Sequence, residues 1–218
     1  LTISGWALCG LWSLGIGLPL LAHWWRRFSR LVPSIATPST LPSVSVVVAA
    51  KDEGNRIADC LASLLASDYP CLEVIAVNDR SEDDTGFHMD RLAATDGRIQ
   101  VVHLDHLPSG WLGKNHAMHR GATTATGEWI LFTDGDVIYQ AATIRLALSF
   151  ALAHRLDHLA LIPAMVTGGY LERALVSLFG LIFAAATQSW LMRLPTRHIY
   201  AGAGAFNLVR RDFYEAAG

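Results

Sequence analysis

Val44-Ser-Val-Val-Val-Ala-Ala50 is a nearly unbroken apolar and β-branched run, and Lys51, Asp52 and Glu53 follow it at once. Strands that show little polar alternation are those covered on both faces, as in parallel sheets. Working outward, Ile57, Cys60, Leu61, Leu64 and Leu65 recur at helical spacing. Leu72-Glu-Val-Ile-Ala-Val77 is a second strand run, and the polar turn Asn78 to Asp84 leads into another helix. Ile99 to Leu104 makes a third strand, Gly113 to Thr126 a helix, and Trp129-Ile-Leu-Phe-Thr133 a fourth strand. Alternating strands and helices predict an α/β domain with a mainly parallel sheet and right-handed crossovers.

In such sheets ligands bind outside the carboxyl ends of the strands. Asp52 and Glu53 follow the first strand, Asp79 the second, and Asp134 and Asp136 the fourth. Carboxylates crowded on one edge repel one another unless a cation joins them. Oxygen ligands suit Mg²⁺ or Mn²⁺, which usually share their shell with phosphate oxygens. The usual glycine fingerprints are missing. No G-x-G-x-x-G follows the first strand, and Gly110-Trp-Leu-Gly113-Lys114-Asn115 is too short for a P-loop and lacks Ser or Thr after the lysine. A G-x-S-x-G nucleophile elbow is absent as well. The reading left is a nucleotide site that works through a metal.

Three motifs in order, Val46-Val-Val-Ala-Ala-Lys-Asp52-Glu53-Gly, Val77-Asn78-Asp79-Arg80-Ser81-Glu-Asp83-Asp-Thr85 and Phe132-Thr133-Asp134-Gly135-Asp136-Val137, resemble the family 2 glycosyltransferases of GT-A fold. The likeness runs from about Val44 to Arg211. Leu107-Pro-Ser-Gly-Trp111-Leu-Gly113-Lys114-Asn115 resembles the membrane-associated branch that glycosylates lipids, with ceramide, hopanoid and carotenoid-type members. Gly202, Gly204, Ala205 and Phe206 stand in a stretch similar to that branch's acceptor-side strand and loop.

The resemblance implies nucleoside contacts from Asp52 and Glu53, with Asp52 where the family more often has Asn. It implies an uracil contact from Asp79, a basic group beside the nucleotide from Lys114, and a D-x-D from Asp134 and Asp136, the second mainly holding Mn²⁺ or Mg²⁺. The implied reaction is an inverting transfer from a nucleotide sugar, a UDP-sugar, to a lipid or polyprenoid-type acceptor. The family's catalytic base lies in an acidic motif expected beyond Gly218. These residues are therefore read as a fragment that binds donor without normal turnover. Rival readings are a sugar-phosphate nucleotidylyltransferase, for which Ala49 to Asn55 offers a single glycine, and a membrane-tethered nucleotide-binding remnant.

Residues 1–25 carry no Asp, Glu, Lys or Arg, and Arg26, Arg27 and Arg30 follow. Coiled as a helix, Leu1 to Ala22 would be about 33 Å long, enough to cross a hydrocarbon core of about 30 Å. A transmembrane anchor over 1–25, a basic edge and Pro/Ser linker over 26–43, and a glycosyltransferase domain over 44–218, truncated at its C-terminus, are the expected organisation. Positive charge after the anchor places the domain in the cytoplasm, at a bacterial inner membrane. Ala174 to Met192 is a second charge-free stretch of 19 residues. It reads either as a helix in the cytoplasmic leaflet, where a lipid acceptor would arrive, or as a helix packed in the core.

The remaining composition excludes other classes. A net charge of −2 gives no basic field for nucleic acid. With 52% hydrophobic and 17% charged residues the chain is not disordered. Three cysteines without a C-x-x-C argue against a disulfide framework. The pairs His103/His106 and His116/His119 lack a convergent third ligand, so zinc is not expected. His116 is a candidate for the donor pocket. Trp111 is read equally as core or as site edge.

Overall fold

The computed structural model describes residues 10, 40–187, 202 and 204–217. All but Gly10 belong to the larger of two units into which the chain divides, Thr37–Gly218. The strands are β1 (Val44–Ala50), β2 (Leu72–Asp79), β3 (Ile99–Leu104), β4 (Trp129–Asp134), β5 (His158–Ala160) and β6 (Asn207–Arg210). The helices are α1 (Gly54–Leu65), α2 (Thr85–Ala93), α3 (Gly113–Thr124), α4 (Thr143–Ala153), α5 (Tyr170–Thr187) and α6 (Arg211–Ala217).

One six-stranded sheet runs in the order β3-β2-β1-β4-β6-β5. The pairs β1–β2, β1–β4 and β2–β3 are parallel, and β6 runs antiparallel to both β4 and β5. The expected mainly parallel α/β sheet is what forms. Its centre is β1, where Val44, Val46, Val47 and Val48 are fully buried, as the apolar run requires. Val47 of β1, Ile75 and Val77 of β2 and Ala117 of α3 share one core cluster, which seats α3 on the sheet.

Register carries the chemistry to one edge. Ala49 stands opposite both Val77 and Asp134, and Ala50 opposite Asn78. The chain therefore leaves β1, β2 and β4 at the same level, and their polar sequels meet there.

The far end of the sheet is tied by Glu73. Its carboxylate accepts hydrogen bonds from Ser45 Oγ at 2.5 Å, the Thr126 backbone N–H at 2.6 Å, Thr126 Oγ1 at 2.8 Å and the Gly127 N–H at 3.2 Å. Burial alone would push Glu73 upward, but these donors outweigh it and hold the group below the usual carboxylate range.

The two apolar segments of the chain fare differently. The expected anchor, apart from Gly10, and most of the linker lie outside the described residues. Among the described residues no helix is long and apolar enough to cross a membrane. α5 is not a core helix: Leu175 is 58%, Phe179 68% and Ile182 58% exposed. The core alternative for the second charge-free stretch is thus overturned over 174–187, and residues 188–192 lie outside the described part.

Candidate active site

Two loops build the rim of the site. After β1 the backbone turns through Asp52 at φ 55° and Gly54 at φ 44°. The loop after β2 receives this turn. Thr85 Oγ1 accepts from the N–H groups of Glu53 and Gly54 at 2.8 and 2.9 Å, and Asp83 Oδ2 accepts from Gly54 N–H at 2.9 Å. Hydrogen bonds from Thr85 hold the Asp83 carboxyl below its ordinary range.

Below the rim lies a cavity of about 260 Å³, lined among others by Lys51, Glu53, Asp79, Lys114, Asp134 and Asp136. Five of the residues singled out from sequence, Glu53, Asp79, Lys114, Asp134 and Asp136, thus face one space. Asp52 is not part of the lining; its Oδ1 accepts from the Glu82 N–H at 2.8 Å.

Asp134-Gly135-Asp136 needs its glycine. A Cβ on Gly135 would come within 2.8 Å of Ala50 Cβ, with Ile57 and Glu53 next nearest. This close approach sets both aspartates against Glu53. Burial, then Asp136, Asp134 and Asp83, raise the Glu53 carboxyl, and only Arg56, 3.7 Å away, pulls it down. Lys114, on the first turn of α3, forms an ion pair with Asp134. The other Asp134 oxygen lies 2.8 Å from where a Cβ on Gly204 would stand, so the backbone at Gly204 packs against the same aspartate.

Ala205 is held by its carbonyl, which accepts from Thr133 Oγ1 at 2.9 Å and Tyr139 Oη at 3.1 Å. Phe206 is buried and its ring stands 6.2 Å from that of Tyr139, so its side chain belongs to the core. Gly202 neighbours the Asn207 side chain. Of the acceptor-side candidates, Gly204 is the one set against the cavity's aspartate.

Trp111 is exposed and rests on the rings of His116 and His119, at 5.4 and 5.1 Å. It is therefore not core, and neither it nor His116 lines the cavity. His103 pairs with Asp90 at 3.0 Å. Cys60 is buried with its thiol pushed up to about 12, chiefly by desolvation, so it is no nucleophile.

One neighbour of the site was not singled out from sequence. Arg80 Nε donates to Asp79 Oδ1 at 2.9 Å. Successive strand residues point to opposite faces, so the pattern sends Arg80 away from Asp79. The left-handed φ of 58° at Arg80 turns it back.

The cavity has the donor set for a divalent cation. Asp134 and Asp136 flank it, and after burial these two aspartates are among the charges that raise the Glu53 carboxyl. Among the described residues no three His, Cys, Asp or Glu side chains form a metal cluster on their own. The aspartate pair would therefore share the ion with oxygens of a ligand and water.

A family model described as Glycosyl transferase family 2 matches residues 45–218. Glycosyltransferase GlyG of Streptococcus pneumoniae is 32% identical over 95 residues, 44% of this chain and 30% of that protein. The 4,4'-diaponeurosporenoate glycosyltransferase of Staphylococcus haemolyticus is 30% identical over 112 residues, 51% of this chain and 29% of that protein. The mannosyltransferase PcManGT from Pyrobaculum calidifontis, solved with GDP-Man and Mn²⁺, superposes with a TM-score of 0.63 at 21% identity, covering 96% of this chain and 57% of that one. S. aureus TarS 1-349 in complex with UDP-GlcNAc gives 0.59 at 22% identity, covering 80% and 47%. At these identities the two structures speak for the fold alone. The chain spans 30% and 33% of the first two curated relatives' lengths.

Proposed function

The chain belongs to glycosyl transferase family 2, with the GT-A fold, and we propose that the cavity at the sheet's carboxyl edge binds a UDP-sugar as the donor site of an inverting transfer to a lipid hydroxyl. One observation carries this reading: Glu53, Asp79, Lys114, Asp134 and Asp136 line a single space at the ends of three adjacent parallel strands or the start of the helix beside them.

The roles follow from charge and position. Asp79, buried at the end of β2, takes the base. Lys114 faces the diphosphate, leaving its pair with Asp134 to do so. Asp136 and Asp134 hold Mn²⁺ or Mg²⁺, and Glu53 is relieved of their repulsion once the ion is present. The ion, when bound, stabilises negative charge on the departing diphosphate. Gly204 brings its backbone against Asp134, which sets the acceptor-side residues beside the donor site. The complexes of the neighbouring folds with GDP-Man and Mn²⁺ and with UDP-GlcNAc support a nucleotide-sugar donor.

The lipid acceptor is supported by α5, whose apolar side chains stand in the open, and by the carotenoid-type relative named above. In this reading α5 lies in the cytoplasmic leaflet, held near it by the anchor at residues 1–25.

Calorimetric titration of UDP into the detergent-solubilised chain tests the donor site, first with Mn²⁺ and then with EDTA. Binding that requires Mn²⁺, and is lost in Asp136→Ala, is the expected result. Equal affinity in EDTA would remove the metal from the reading. A cooperatively melting protein that binds UDP in neither buffer would sink the donor site itself.

A further inference from the structure

The two aspartates of the cavity are not equally free. Asp136 is exposed, and among the described residues no hydrogen bond or ion pair reaches its carboxylate. Asp134 is engaged on both sides. Its Oδ1 takes the Lys114 ammonium, and its Oδ2 lies 2.8 Å from the place of a Cβ on Gly204. The same Cβ would stand 3.1 Å from Lys114 Nζ. Ammonium, carboxylate and the Gly204 backbone thus meet at one point, and a glycine leaves room for the pair.

Helix stability does not explain the lysine. Lys114 is the second residue of α3, and a positive charge in a first turn opposes the helix dipole. Nor is the pair a firm tie: its side chains are 54% and 32% exposed, and pairs in that setting are weak and easily exchanged. Lys114 does place a positive charge on an oxygen that Mn²⁺ or Mg²⁺ would need. An ammonium and a divalent cation cannot share that oxygen without repulsion. A diphosphate near the start of α3 would offer the ammonium a second anionic partner, at a helix end where negative charge is favoured.

We propose that Lys114 is a built-in counter-ion for Asp134: in the free protein it keeps divalent cations off the aspartate pair, and it gives up the place when a diphosphate draws it away. This rests on the donor-site reading above and adds a rule of binding to it: the cation is held tightly only together with the nucleotide.

Electron paramagnetic resonance of free Mn²⁺ tests this on the detergent-solubilised whole chain, with the ion alone and with UDP added. The unsubstituted protein is compared with Lys114→Met and Lys51→Met. Lys51 lines the same cavity but has no ion pair among the described residues, so its loss removes charge without releasing a carboxylate. Lys114→Met should bind Mn²⁺ alone about threefold to tenfold more tightly than the unsubstituted chain, and Lys51→Met should gain clearly less. UDP should bind Lys114→Met more weakly, so the gain in Mn²⁺ affinity that UDP brings should shrink. A lysine that only contacts phosphate would lower UDP affinity and leave the affinity for Mn²⁺ alone unmoved. That result, or an equal gain in both variants, overturns the role of Lys114 and leaves the donor site standing. Should Lys114→Met melt poorly, Lys114→Gln must show the same rise. If the unsubstituted chain melts cooperatively but binds no UDP in Mn²⁺, donor site and counter-ion role fall together.

Discussion

Glu53 stands among negative charges that its own position makes unavoidable. Gly135 lets Asp134 and Asp136 close on it, and burial together with Asp136 keeps its carboxyl above the ordinary 4.5. A raised folded-state value means that the folded chain holds this proton more tightly than the unfolded one. The stability so gained is complete below about 4.5 and is lost as pH rises through the raised value. At neutral pH the ligand-free fold therefore carries the repulsion. Glu53→Gln should raise its melting temperature by about 2 °C at pH 7.5, a gain that shrinks toward pH 4. Scanning fluorimetry checks it; a lower melting temperature at pH 7.5 would show that Glu53 is held by attraction instead. The acidic members of this site were legible because each follows a strand of plain apolar character. Arg80 was not, since strand alternation sends it to the opposite face and a backbone reversal cannot be read from an arginine in the sequence. Asp52 was legible as a carboxylate after β1 but not as one that turns to the Glu82 amide.

At the scale of elements, the parallel strands announce themselves through their runs of valine, isoleucine and leucine. β5 does not: it has three residues, His158–Ala160, at the sheet's edge, with no buried member and no period to detect. The antiparallel entry of β6 is likewise a matter of long-range pairing that local pattern cannot encode. Glu73 shows how such elements are joined away from the site. Lying in β2, it takes donors from β1 and from the turn between α3 and β4, so one carboxylate fastens three elements. Its folded-state value is depressed, so its contribution is present above about 4.5 and is lost as pH falls through the lowered value. Glu73→Ala leaves the Thr126 amide and the Ser45 hydroxyl without this acceptor, while the Gly127 N–H keeps Ser45 Oγ at 2.7 Å, and should cost about 2 kcal/mol at pH 7. Urea denaturation at pH 7 and at pH 3 separates the cases. The cost should be smaller at pH 3, as pH falls toward the lowered value, whereas an equal cost at both would mean that Glu73 acts through packing and not through its charge.

On the scale of the whole molecule, polar chemistry gathers at one edge of the sheet and apolar surface on one helix. A helix that is apolar on most of its circumference is stable only when covered. α5 meets that description. Leu171, Leu175, Leu178, Phe179 and Ile182 are all more than half exposed, and Glu172 and Arg173 are its only charges. The sequence foresaw its lack of charge but not its place. Length and composition are the same for a core helix and a surface one, and only the packing of the sheet decides between them. If the leaflet covers α5, a lipid-soluble photoreactive probe should label it in the chain reconstituted into vesicles. The peptide covering residues 174–187 should then carry label well above the peptide containing Phe87, which is 63% exposed on α2 and serves as the aqueous control. Adding Mn²⁺ and UDP should leave that labelling unchanged, because the proposed donor site is at the ends of β1, β2 and β4 and not on this helix. Equal labelling of the two peptides would mean that α5 is covered by protein, and the lipid acceptor would then lose its main structural support while the donor site kept its own.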